Sequence, residues 1–163
     1  MRDSWQKTSN NQTCYHIKEV CQMKVDEDAW KLIQQHLGYT DEELELFRSN
    51  PKNTDIVSKA PDLMNKTIIA EVVTSHGCNS QHQVGDRFYF DGAGNLLTKL
   101  NPKRICIHAL SALSGPIYTA NELFYAGIDP NEMRLNRVGC FDVGVQCGGW
   151  GHIDLELKME DRK

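Results

Sequence analysis

His152-Ile153-Asp154-Leu155-Glu156-Leu157-Lys158-Met159 alternates without a break. Ile153, Leu155, Leu157 and Met159 fall on one side, and Asp154, Glu156 and Lys158 on the other. A period of two belongs to a half-buried β-strand. The stretch therefore predicts a sheet with one face in a core and one in solvent, the usual state of an antiparallel sheet. Residues 67–74, Thr-Ile-Ile-Ala-Glu-Val-Val-Thr, form a β-branched run that reads as a buried strand. Residues 87–91, Arg-Phe-Tyr-Phe-Asp, read as another. They end in Asp91-Gly92-Ala93-Gly94-Asn95, a hairpin signal with residues 96–100 as the returning strand. Residues 136–145 are expected to add one more strand. Between them, residues 105–113 and 119–126 read as two helices broken at Gly115-Pro116, with Gly127 as a stop.

Upstream the composition changes. Of the 12 glycines only Gly38 precedes Gly77, and glycine-poor sequence favours helices. Asp26-Glu27-Asp28 opens an apolar-periodic segment that includes Trp30, Ile33 and Leu37 and stops at Gly38. Thr40 and Glu43 have the spacing of a capping box, with Asn50-Pro51 beyond the helix end. A short helix is expected over residues 55–59, ahead of Pro61. Residues 12–23, which carry Cys14 and Cys21, settle on no single period. The expected fold is α+β: a small, mostly antiparallel sheet with two central helices in residues 66–163, preceded by a helical extension in residues 1–65.

The 163 residues are 40% hydrophobic and 25% charged, with a formal net charge of −4. That balance belongs to a globular domain rather than a disordered chain. It lacks the positive field that drives nucleic-acid binding, so no nucleic-acid partner is expected. No apolar run reaches membrane-helix length, and no membrane association is expected. The first residues, Met1-Arg2-Asp3-Ser4-Trp5, lack an apolar export signal. The expected compartment is the cytoplasm, where six cysteines would be packed thiols, metal ligands or catalytic thiols rather than disulfides.

The chemistry-bearing residues gather in the second half. His76-Gly77-Cys78-Asn79-Ser80-Gln81-His82 places one thiol and two imidazoles on a loop after a strand. Cys106-Ile107-His108 adds a pair at a helix start, and Cys140 and Cys147 flank a glycine-bearing loop leading to His152. Thiolates and imidazoles suit a transition metal. No Cys-x2-Cys step marks a standard zinc or iron–sulfur motif, so ligands would have to converge from separate loops. Three readings compete. Cys78, Cys106 and Cys140 are packed small hydrophobes; or they join a metal site; or Cys78 is a nucleophile paired with His82 or His76 and oriented by Asp86 or Asp142. Gly85 and Asp86 read as hairpin-entry residues, Asp142 as a structural residue inside a strand, and Trp150 as a core or rim anchor.

Taken together, Cys78-x3-His82-x2-Gly85-Asp86-x-Phe88, Cys106-x2-Ala109-Leu110-x2-Leu113 and the later Cys140 resemble a family of small uncharacterised prokaryotic repeat proteins. The resemblance covers residues 66–159. It departs where Ile107 stands in place of the proline expected after Cys106. It implies no particular activity, but it implies that Cys78, His82, Cys106 and Cys140 belong together. The expected function is thus a metal- or iron–sulfur-binding accessory protein, a small subunit of a larger metabolic enzyme or a homo-oligomer. Its zinc or iron–sulfur centre would be held by Cys78, His82, Cys106, and Cys140 or Cys147. A small cysteine- or metal-dependent hydrolase or lyase, with Cys78 and His82 as catalytic residues, is the enzyme alternative. A metal-free binding module is the third.

Overall fold

The computed structural model describes residues 25–163. Residues 12–23, with Cys14 and Cys21, lie outside the described residues. Helices α1 (Glu27–Leu37), α2 (Asp41–Arg48) and α3 (Pro51–Met64) lead into strand β1 (Lys66–His76). Strand β2 (Arg87–Asp91), helix α4 (Ile107–Tyr125), and strands β3 (Arg137–Gly139) and β4 (His152–Asp161) follow. The strands form one antiparallel sheet in the order β2-β1-β4-β3. The fold is α+β. Among the described residues no helix is long and apolar enough to cross a membrane.

The alternating pattern of β4 does what its period dictates. Ile153, Leu155, Leu157 and Met159 are buried. Opposite them on β1, Ile68 meets Met159, Ala70 meets Leu157 and Val72 meets Leu155, while Phe90 and Phe88 of β2 extend the same face. Helix α4 covers this face with Ala109, Leu113, Ile117 and Ala120. Directly opposed side chains lie close enough across strands to pack as pairs, so the register places apolar beside apolar on the inner face from Ile68 to Val72.

The capping signals upstream hold. The Asp26 carboxylate accepts the Ala29 N–H at the start of α1, and Gly38 closes the helix in the left-handed conformation. The Thr40 hydroxyl and Glu43 carboxylate form the reciprocal capping box of α2. Trp30, Leu44 and Val57 make a small separate core between these helices. Leu63 of α3 belongs instead to the core of the sheet.

Four expectations require correction. First, α4 is one helix and passes through Gly115-Pro116. Proline removes the N–H that would bond the Ala112 carbonyl, at a cost of about 3 kcal/mol. Buried residues on both sides of that break, Leu113 and Ile117 among them, bring about 25 cal/mol per Å² of apolar area and keep the helix whole. Second, α3 likewise runs through Pro61, with Val57 and Leu63 buried on either side of it. Third, residues 96–100 make only the single bridge from Leu96 to Phe90 and no returning strand. Fourth, the strand expected over residues 136–145 ends at Gly139. Asp142 therefore lies in a loop, where its carboxylate serves the backbone.

Candidate functional site

A bulge in β1 prepares one edge of the site. Between Val72 and Thr74 the register with β4 slips by one residue. Without Val73 as the extra residue, Thr74 would face inward opposite Ile153; with it, Thr74 stands beside Asp154 on the outer face. Bulges commonly re-aim side chains in this way. The Thr74 hydroxyl donates to Asp154 Oδ2 at 2.5 Å, and the Asp154 N–H donates to Thr74 Oγ1 at 3.2 Å.

Beyond the bulge the chain closes into two touching loops. At Gly151 an added Cβ would lie 2.1 Å from the Gly77 carbonyl, so the loop after β1 and the entry to β4 meet backbone to backbone. The second loop is gathered around Asp142. Its carboxylate accepts the N–H groups of Gly144 and Trp150, each at 3.0 Å. These N–H groups, that of Gly144 foremost, hold the Asp142 carboxyl below its ordinary value despite some burial.

Between these loops and the start of α4 lies a cavity of about 240 Å³, lined in part by Cys78, Ser80, Cys106, Cys140, Trp150 and His152. Three cysteines thus arrive from three places: the loop after β1, the N-cap of α4 and the end of β3. Each is half-buried and packs against the sheet core. The three thiols thus touch both the core and one cavity.

Cys106 is the N-cap residue of the 19-residue α4, though no side-chain cap bond is formed to its sulfur. Burial pushes its thiol up, and the charge of Asp142 adds to that. The N–H groups of Ala109 and His108 and the Ser80 hydroxyl outweigh both and leave the thiol below its ordinary value. The positive end of a helix favours an anion at this position.

His152 lies across Gly139 of β3, where an added Cβ would come within 2.7 Å of the ring. Its Nδ1 is 2.5 Å from the Asp142 carbonyl oxygen and 3.8 Å from Cys140 Sγ; its Nε2 is 3.0 Å from Asp154 Oδ1. A carbonyl and a carboxylate are both acceptors, so a neutral imidazole can satisfy only one of them. The imidazolium satisfies both. The Asp142 carbonyl, and then Asp154, accordingly hold the His152 pKa above its usual value. The Thr74 hydroxyl foremost, then His152, holds the Asp154 carboxyl below its usual value. In its protonated form His152 places a positive charge 3.8 Å from Cys140 Sγ.

The remaining sequence candidates lie elsewhere. His82 is 3% exposed, packs edge-on to Phe88, and has Nδ1 3.7 Å from Asp86. It does not line the cavity with Cys78. Cys147 is exposed in a short 3-10 turn at Val145–Cys147 and does not line the cavity either. Among the described residues no group of three or more His, Cys, Asp or Glu side chains is arranged to hold a metal ion. Gly85 and Asp86 enter β2 as a turn, with the Asp86 carboxylate accepting the Gln83 N–H. Trp150, 76% exposed, is a rim residue and not a core one.

Sequence reasoning passed over the roles of His152, Asp154, Thr74 and Ser80. One signal was present: His152 and Asp154 are two apart in a strand and must share its outer face. Nothing local marked Thr74 or Ser80.

The chain matches no family model, no curated protein and no solved structure.

Proposed function

We propose that the chain is a thiol-dependent protein in which Cys106 attacks a disulfide, with Cys78 or Cys140 as the second thiol. The observation that carries this reading is the meeting of three half-buried cysteines in one cavity at the first turn of α4. The thiolate is the attacking form of cysteine, and N–H groups around Cys106 favour it. In the first step Cys106 Sγ forms a bond to one substrate sulfur, the substrate S–S bond breaks, and one thiolate leaves. In the second, Cys78 or Cys140 attacks Cys106 Sγ; its proton goes to the second leaving sulfur. The substrate disulfide becomes two thiols, and the protein holds one new disulfide. An acyl-transfer hydrolase is less well supported. It needs one nucleophile and a base with a free lone pair, whereas both ring nitrogens of His152 already face acceptors.

The test is alkylation by substoichiometric iodoacetamide at neutral pH, read by peptide mass spectrometry. Cys106 should be modified ahead of the more exposed Cys147. Oxidised glutathione should then yield an internal disulfide from Cys106 to Cys78 or Cys140. Labelling that simply follows exposure overturns the reading.

A second reading is a soft metal, zinc or an iron–sulfur centre, around which Cys78, Cys106 and Cys140 of the one cavity would have to close, since they are not arranged as a ligand set here. Elemental analysis of protein purified without oxygen separates the two. About one zinc, or iron with matching acid-labile sulfide, per chain would replace the thiol-exchange reading. An accessory role, as a subunit of a larger enzyme or as a homo-oligomer, is supported by one surface feature. The loop that carries Cys140 also exposes Phe141, Val143, Val145 and Trp150, each 61–76% accessible, a patch of the kind that marks contact surfaces. It predicts elution above monomer mass in gel filtration of the native protein.

A further inference from the structure

A second cavity, of about 710 Å³, opens on the solvent face of the sheet, away from the three cysteines. Its floor is Thr67 and Ile69 of β1 and Tyr89 of β2, the residues that alternate with the buried Ile68, Ala70 and Phe88. Its wall is the segment with Leu96, Leu97 and Leu100 that follows the hairpin turn.

That wall is built, not draped. The Leu97 N–H donates to the Tyr89 carbonyl at 2.9 Å. The Asn101 side chain accepts the Tyr89 N–H at 3.0 Å and donates to the Tyr89 carbonyl at 2.9 Å. Asn101 thus stands in for a neighbouring strand, and the free edge of β2 is closed at its midpoint. An incoming polypeptide strand finds no paired donor and acceptor there. A preformed groove of this size falls within the range of small-molecule sites.

The rim supplies the charge. Arg87 is held by Glu71 at 2.8 Å, and Asp161 by Lys66 at 2.6 Å. Lys99, Arg162 and Lys163 line the same groove and, among the described residues, pair with no carboxylate; Glu160 is the opposing charge. A chain with a net charge of −4 therefore gathers three cations, without a carboxylate partner among the described residues, around an apolar floor with one phenol.

We propose that this groove binds a small amphipathic anion, an organic acid whose apolar or aromatic body lies on Ile69, Tyr89 and Leu97 while its carboxylate or phosphate faces Lys99 and Arg162. The proposal is independent of the thiol chemistry on the far side of the molecule.

The test is fluorescence titration of the full chain with anilinonaphthalene sulfonate, an aromatic sulfonate. Saturable binding is expected, with displacement by decanoate or decyl phosphate and none by decanol. Whichever of the two anions displaces better identifies the head group. The double variant K99E/R162E should weaken dye binding about tenfold or more. Both residues are exposed, so the variant should keep the parent's thermal midpoint. Leu100→Gln, which alters the apolar wall alone, should weaken the dye as well. Absence of saturable binding, unchanged affinity in K99E/R162E, or equal displacement by decanol overturns the proposal.

Discussion

The Cys106 thiol is chemically the same as that of Cys147, and only its surroundings set it apart. Burial works against its ionisation; the N–H groups of Ala109 and His108 and the Ser80 hydroxyl work for it and prevail. The rate of Cys106 alkylation should therefore rise at a lower pH than for an unperturbed thiol. Ser80→Ala, which removes one donor, should move that profile upward. A profile identical in parent and variant would mean that Ser80 has no influence on the sulfur. His152 and Asp154 make a second residue-scale case. The His152 pKa is raised above its ordinary 6.5, so its contribution to stability is complete below that value. It is lost as pH climbs through the higher folded value. Asp154 is depressed below 3.8; its contribution is present above that value and is lost as pH falls through the lower folded one. The pair stabilises the fold most between these limits. More than a third of each side chain is exposed, so solvent screens the interaction and the effect is small. The thermal midpoint of the parent, relative to His152→Gln, should fall as pH rises past neutrality. A constant difference between the two proteins would remove the ion pair as a contributor.

At the scale of elements, two glycines separate local from tertiary requirements. Gly115 sits in the interior of α4 with nothing within 4 Å of an added Cβ. Gly115→Ala should change stability by less than about 0.5 kcal/mol, because alanine's lower backbone entropy in a helix is offset by the clash of its Cβ with the ring of the following Pro116 in the helical conformation. The same change at Gly151 puts a Cβ 2.1 Å from the backbone of Gly77. It forces apart the two loops that carry Cys78 and His152, and should cost about 2 kcal/mol or more. Urea denaturation of both variants checks the contrast. The β1 bulge has the same tertiary character. Nothing in Val72-Val73-Thr74 marks Val73 as the unpaired residue, yet that slip decides whether Thr74 faces the core or Asp154.

Across the whole molecule, burial is divided unequally. The sheet and α4 share one cluster that includes Ile68, Val72, Phe88, Leu113 and Leu155, all fully buried. The first helices share a much smaller cluster around Trp30, Leu44 and Val57. Leu63 and the bond from Lys59 Nζ to the Tyr125 carbonyl tie α3 to the larger one. Leu155→Ala should cost about 2–5 kcal/mol, the range for truncating a buried leucine. Amide exchange should show α1 and α2 opening at lower free energy than β1 and β4, because less apolar surface holds them. Equal protection in both regions would mean that the two clusters unfold as one unit.

What could be read from the residues alone was whatever depends on neighbours in sequence. The period of two in residues 152–159, the β-branched run at 67–74, the caps at Asp26, Gly38 and Thr40, and the α+β class all follow from such short-range chemistry. The cysteines were visible as a set of candidates for the same reason. Their arrangement was not. Whether Cys78, Cys106 and Cys140 share a cavity while His82 and Cys147 stand outside it depends on how β1, α4 and β3 end against one another. The continuity of α4 through Pro116 was equally hidden. A proline's local cost is written in the chain, but the apolar burial that offsets it exists only once the sheet is there to cover.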